Sequence, residues 1–397
     1  MAENNSAPPP IAPPNQGVPL PPTSAASALA EISSAARRDA SYRPEAFVVG
    51  TVGQDVPVEI IDAAGAVALR LRGNPAWLTE SADRYLGKGL DPAMRSLMEG
   101  ILDGAFGRLD AIVISSDCDA SQRLFYVLRE MRRVTPEIAV PPVYLVDILH
   151  LPRESTARYN RVRVRQLLEV LERWTGNRVS DAGLEHAVIA HNRRRELQRA
   201  VMELRRSPEP RLSGVDALAV FAAADRMAGE RYAGCLESLV AGGDELGPRP
   251  GTRIFVTGST HDSPDVYRAI EAHGATIVGE NHDRGELLAE RDVAPARDLE
   301  SLLDAIADRY QYSGPTAQRG SIAARAEHTA EGIRRTGAEL LLSYVRVMDE
   351  APLWDFAAQR AAASVPSAVV VRQPYGAIDA EELDVALRAP EQTGVNR

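Results

Sequence analysis

Asp110-Ala111-Ile112-Val113-Ile114-Ser115-Ser116-Asp117-Cys118-Asp119 decides the fold. Four consecutive apolar residues bounded by polar ones read as a strand buried on both faces, because a half-exposed strand would alternate. The polar loop that ends it leads into Ala120 to Arg133, an amphipathic helix. Pro142 to Val146 is the next strand. Toward the N-terminus, Phe47-Val48-Val49-Gly50 is another short apolar strand. A helix follows that starts at Pro57 and stops at Gly65, then a strand over Ala66 to Leu71 and a helix over 93–106. Strand–helix–strand alternation predicts a parallel sheet covered by helices.

A second such unit begins at Arg253-Ile254-Phe255-Val256-Thr257-Gly258-Ser259, with a helix from Pro264 to His273-Gly274 and strands at Ala275 to Val278, Ala338 to Tyr344 and Ala368 to Val371. Between the units strand signals vanish, and Val164, Leu167, Leu168, Leu171, Leu184 and Val188 recur at helical spacing. Leu212-Ser213-Gly214 interrupts this helical stretch, and Gly242-Gly243 through Pro250-Gly251 links it to the second unit. The fold class predicted is α/β: two Rossmann-like parallel-sheet domains over 44–153 and 246–397, with an intervening helical segment over 154–245. Residues 1–43, rich in Pro, Ala, Ser and Asn, read as a disordered Pro-rich tail.

The net charge of −10 argues against a general nucleic-acid binder. It leaves room for a polyanionic ligand in a local basic pocket. No apolar run approaches the roughly 18–20 residues that span a bilayer, and no basic-then-apolar leader is visible, so the expected location is cytoplasmic and away from membranes. Arginine far exceeds lysine. Arg193-Arg194-Arg195 reads as a solvated helix face, the sharper alternative being a rim for phosphates. No GxGxxG, P-loop, GxSxG or CxxC occurs. The two cysteines, Cys118 and Cys235, cannot supply the four thiolates of a common iron–sulfur site. Cys235 reads as a core residue.

Candidate site residues lie where parallel strands end, since ligands of open α/β sheets bind beyond the carboxyl ends. Three loops qualify: Ser115 to Asp119, Thr257-Gly258-Ser259, and the one after Tyr344 with Met348 and Asp349. Asp117 and Asp119 are candidate helix caps, Glu59 sits in the first turn of its helix, and His282-Asp283 reads as polar filling of a loop rather than a metal pair.

Taken together, these segments resemble the 2-hydroxyglutaryl-CoA dehydratase / benzoyl-CoA reductase family. The resemblance is carried by Val56-Pro57-Val58-Glu59-Ile60-Ile61-Asp62-Ala63-Ala64-Gly65 with Leu69-Arg70-Leu71-Arg72-Gly73, and by Ser115 to Asp119 with Gln122-Arg123-Leu124. Glu203-Leu204-Arg205-Arg206 with Leu212-Ser213-Gly214, and Thr257-Gly258-Ser259 with Gly274-Ala275, complete it, over about 46–390. It implies paired, related subunits acting on an acyl-CoA thioester. A [4Fe–4S] cluster held mainly by cysteines would receive one electron from an ATP-dependent iron–sulfur activator, giving a ketyl radical. Glu59 and Ser259 become candidate contacts to the acyl group. The chain departs from the pattern at the cluster: Asp91 stands where the family's first cysteine precedes a proline, Met348 or Asp349 where the third falls, and Asn281-His282-Asp283 where another is common, so only Cys118 remains. One thiolate with carboxylates and a thioether is a poor cluster site. The expectation is a chain with no cofactor of its own, paired with a cysteine-complete paralogous subunit that carries the cluster; the alternative is a cluster-free acyl-CoA or partner-binding scaffold. Either way, two facing lobes should bring Asp91, Cys118 and Met348 together.

Overall fold

Residues on alternate sides of each predicted strand are apolar, so each sheet needs a helical layer on both faces. A computed structural model describes Pro22 and residues 24–388. The helix α1 (Ala25–Ala36) precedes the first sheet, which holds β1 (Phe47–Val52), β2 (Ala66–Arg70), β3 (Ala111–Ser115) and β4 (Val143–Val146). Its helices are α2 (Val58–Ala63), α3 (Glu80–Leu86), α4 (Pro92–Leu102) and α5 (Asp119–Val134). A helical stretch follows: α6 (Glu154–Thr175), α7 (Asp181–Arg206), α8 (Gly214–Ala223) and α9 (Gly229–Ala241). The second sheet holds β5 (Thr252–Gly258), β6 (Ala275–Glu280), β7 (Leu340–Arg346) and β8 (Ser367–Gln373), with α10 (Asp265–Ala272), α11 (Leu299–Gln311), α12 (Ile322–Thr336), α13 (Ala351–Ala362) and α14 (Ala380–Leu387).

Both sheets are parallel throughout and share one strand order, β2-β1-β3-β4 and β6-β5-β7-β8. The side chains of β1 and β3 divide between two cores. Val48, Val52, Ile112 and Ile114 pack with Leu97, Leu124 and Leu128, while Val49 and Val113 pack with Ile60, Leu167 and Leu184. The second core also takes Leu302, Leu303 and Ile306 of α11. This helix belongs to the second α/β unit in sequence, yet in space it lies against α6 and α7, and so ties the two sheets into one body.

The reading of 1–43 as disordered is corrected at α1. Ser24 caps this helix by accepting the Ser27 N–H (3.2 Å), and Ala25, Ala28, Ile32 and Ala35 are buried against α8 and α9. Small residues at helical spacing form a flat face that packs closely, which their low individual hydrophobicity conceals in the sequence. The proline pairs before Pro22 lie outside the described residues. Among the described residues no helix is long and apolar enough to cross a membrane.

Candidate active site

Each sheet reverses its winding at its first strand, where a crevice opens beyond the carboxyl ends. Glycine is obligatory at both positions. Gly53, just past β1, has φ +85°, and a Cβ there would lie 2.0 Å from Ser115 Oγ and 2.5 Å from Asp117 Oδ2. Gly258, at the end of β5, has φ +112°, and its Cβ would meet the Tyr344 carbonyl oxygen at 2.1 Å. These close approaches let the two crevices face one cavity of about 430 Å³. Its wall takes Thr51 of β1 and Gln54 beyond it, Arg70 and Arg72 from β2 onward, Arg194 and Arg195 of α7, His261 and Asp262 after β5, and Tyr310 of α11.

The arginine triplet of α7 splits three ways. Arg193 is exposed and paired with Glu196 (2.9 Å) and Glu237 (3.1 Å), as a solvated face requires. Arg194 lines the cavity. Arg195 is buried against Glu59, its Nη1 donating to Oε1 at 2.7 Å.

That contact defines Glu59. Its carboxylate is wholly buried, accepts a second hydrogen bond from the Tyr310 hydroxyl at 3.0 Å, and lies behind the cavity wall. Burial favours its neutral form, but the charges of Arg195, Arg309 and His191 outweigh that and hold it well below the usual carboxylate range. Ser259 is also fully buried, and its Oγ accepts the Arg346 N–H at 3.0 Å. Glu59 and Ser259 thus lie behind the cavity surface; of their partners, Arg195 and Tyr310 line the cavity.

Cys118, Asp91 and Met348 converge only in part. Asp91 caps α4 by accepting the Ala93 N–H (3.0 Å), and both its oxygens accept from Arg346 at the end of β7 (2.8 and 2.6 Å). Cys118 is the N-cap of α5; its Sγ accepts the Ser121 N–H at 3.4 Å. The predicted caps Asp117 and Asp119 are therefore corrected. Asp117 reaches away to the Gln54 N–H (2.8 Å), and Asp119 forms an exposed pair with Arg123 (2.9 Å). Burial and then the Asp117 charge push the Cys118 thiol up to about 12, and Asp91 is near enough to add to it. Met348 takes a left-handed conformation (φ 63°) and its side chain is exposed, while its neighbour Asp349 lies buried 3.7 Å from Arg346.

This donor set does not fit a [4Fe–4S] cluster. Cys118 is the one thiol at the site, Asp91 is engaged on both oxygens, and the guanidinium of Arg346, with a nearly inaccessible side chain, stands between Asp91 and Asp349. A cation there repels iron. Among the described residues no group of three or more histidine, cysteine, aspartate and glutamate side chains could hold a metal ion. Cys235 is fully buried in an apolar core with Leu236, Leu239 and Val220.

Several site groups escaped sequence reasoning. Arg70, Arg72, Arg284, Gln54 and His261 line the cavity, yet nothing local marks them; the one signal was that Leu69 to Gly73, which holds Arg70 and Arg72, is among the segments that carry the family resemblance. Asp283 is pushed up to about 6 by burial, with Asp117 adding to it and Arg284 and Arg70 opposing. His282 is buried and donates its Nε2 proton to the Tyr267 oxygen (2.9 Å), since its Nδ1 accepts the Arg284 N–H (3.2 Å). Burial, then the charges of Arg205 and Arg284, depress it to about 3. The unfolded chain therefore binds a proton here that the folded one refuses between pH 6.5 and about 3, and stability falls as pH falls through that window. His282→Asn is expected to flatten the stability slope between pH 6 and pH 5 by up to about 1.4 kcal/mol per pH unit. Urea unfolding at both pH values measures it, and an unchanged slope would count against a neutral His282.

Comparisons with known proteins agree with this architecture. The family model for the 2-hydroxyglutaryl-CoA dehydratase D-component matches residues 54–346. The provisionally named dehydratase subunit YjiM of Escherichia coli (strain K12) is 28% identical over 281 residues, 67% of this chain and 70% of its own. A benzoyl-CoA reductase subunit of Thauera aromatica is 23% identical over 77% of this chain and 79% of its own. The (R)-phenyllactyl-CoA dehydratase beta subunit of Clostridium sporogenes is 21% identical over 59% of this chain and 61% of its own. With parallel twin sheets, a shared central cavity and a match that runs from Gln54 to Arg346, the chain belongs to the 2-hydroxyglutaryl-CoA dehydratase D-component family.

Proposed function

We propose that this chain is one subunit of a 2-hydroxyacyl-CoA dehydratase or benzoyl-CoA reductase type of complex, and that its cavity takes an acyl-CoA thioester. It works beside a paralogous, cysteine-complete subunit that carries the [4Fe–4S] cluster and receives its electron from an ATP-dependent iron–sulfur activator. Low-potential, ketyl-radical chemistry belongs in this reading to the cluster-bearing partner. This chain's residues bind and orient: Arg194 and Tyr310 line the cavity, and Glu59 fixes Arg195 and Tyr310 from behind.

The observation that carries the division of labour is the Arg346–Asp91 pair, which puts a guanidinium among the positions where a cluster would need thiolates. The relatives support the subunit reading, since one is named as the beta subunit of a dehydratase and another as one of several subunits of a reductase. The test is co-expression with a cysteine-complete paralogue, separation of the chains, and iron and acid-labile sulfide analysis of each. The expected result is cluster on the paralogue and none on this chain. Stoichiometric iron and sulfide on the isolated chain would overturn the assignment, and full turnover by the paralogue and activator without this chain would reduce it to a scaffold.

A further inference from the structure

We propose that the part of the cavity lined by Arg70, Arg284, Gln54 and His261 is a binding site for an oxyanion, a carboxylate or a phosphate, held between the two arginines and given direction by Gln54 and His261. Charge is the first argument. Ten arginines line the cavity against three aspartates, Asp62, Asp225 and Asp262, so the enclosed space is strongly positive. Most of these arginines are held by acids: Arg226 by Asp225 (2.6 Å), Arg195 by Glu59 (2.7 Å), and Arg284 by Asp262 (3.1 Å). Arg70 is among those that are not: its guanidinium donates to the Asp283 carbonyl at 3.3 Å and forms no ion pair among the described residues, while the Asp225 carboxylate accepts its backbone N–H. Arg70 is half-buried and desolvation is its largest penalty; Asp283 and Asp225 offset part of that from nearby without pairing with the guanidinium, and a ligand anion would supply the direct partner.

The second argument is independent of charge. Both amide atoms of Gln54 and the Nε2 of His261 are buried without a hydrogen-bond partner, and both residues line the same cavity. Buried polar atoms are nearly always satisfied, so unpaired ones converging on one space point to a polar ligand. Thr51 and Arg70 are register partners on β1 and β2, which sets Gln54, three residues further on, beside the Arg70 side. Arg284 arrives from the loop after β6 and is anchored by the Leu71 carbonyl (2.9 Å). The neighbouring Asp262 pairs with one nitrogen of Arg284 at 3.1 Å and accepts the Tyr375 hydroxyl at 2.8 Å. A guanidinium fork with an amide N–H beside it matches the in-plane lone pairs of a carboxylate or phosphate.

The site deepens the acyl-CoA reading and rests on it only for the source of the anion, which is either a far carboxylate on the acyl group or a phosphate of the CoA. Calorimetric titration of the full chain with phosphate, succinate, CoA, butyryl-CoA and succinyl-CoA separates the cases. Arg70→Gln is expected to weaken the bound anion by about 10- to 100-fold, while the exposed Arg123→Gln leaves it unchanged. Succinyl-CoA binding tighter than butyryl-CoA, with the difference lost in Arg70→Gln, assigns the acyl carboxylate; equal weakening of CoA and both thioesters assigns a phosphate. Gln54→Leu guards against a folding artefact: it removes two unpaired buried atoms, so it should raise the melting temperature while weakening the anion. Binding of phosphate or succinate without any CoA ligand supports the oxyanion site and removes the acyl-CoA reading. Equal binding by wild type, Arg70→Gln and Gln54→Leu, or no anion binding at all, overturns the proposal.

Discussion

Arg205→Met is expected to destabilise the fold by about 3–5 kcal/mol, because it leaves buried carboxylates without their cation. Arg205 ends α7 with no accessible surface, 2.6 Å from Glu280 at the end of β6 and hydrogen-bonded to Glu286. Glu286 keeps Arg206 and Arg335 after the substitution. Glu280 does not: its side chain is 1% exposed, and its remaining donor is the Glu286 N–H at 3.0 Å. The loss should therefore trace to Glu280, and adding Glu280→Gln to Arg205→Met should recover part of it. Urea midpoints at constant slope measure both steps. A loss for Arg205→Met below about 1 kcal/mol, the range of exposed pairs, would show that the network is solvated.

Asp91→Ala is expected to lose about 3–4 kcal/mol through two separable effects. It deletes the cap of α4, and it strips the bidentate partner from Arg346, leaving that cation with Asp349 at 3.7 Å. Asp91→Asn keeps a capping oxygen and removes the charge, so the difference between the two variants reads the cap, about 1 kcal/mol. The rest is the value of a tie that joins the first α/β unit to the second. Arg346→Met should destabilise by a similar amount, since two carboxylates then lose their shared cation. Thermal unfolding of the single and double variants supplies the coupling; additive losses would mean that Asp91 and Arg346 do not act as a pair.

The strands, their parallel pairing and the helical middle were legible because apolar runs and helical spacing are local signals, as at Ile112 to Ile114 and Val164 to Leu171. The α1 helix was not, because Ala, Ser and Pro-rich composition masks a small-residue face whose burial depends on α8 and α9. Within the site, the loops after β3, β5 and β7 were found from position alone. What filled them was hidden. A glutamate in a first helical turn carries no mark of the arginine 136 residues away that pairs with it, and Asp91 none of Arg346, 255 residues on. Long-range ion pairs have no sequence period, so charge partners across domains emerge only from the assembled fold.

The guanidinium groups that thread this interior have a further consequence for alkaline conditions. Arg205, Arg226, Arg325 and Arg346 are buried, and each faces a carboxylate. An ammonium in those places would shed its proton as the medium turned basic and let the lobes part; arginine keeps its proton throughout. The upper limit on tolerance to base passes instead to phenols such as Tyr344, which burial pushes up to about 12 and which the unfolded chain would ionise near 10.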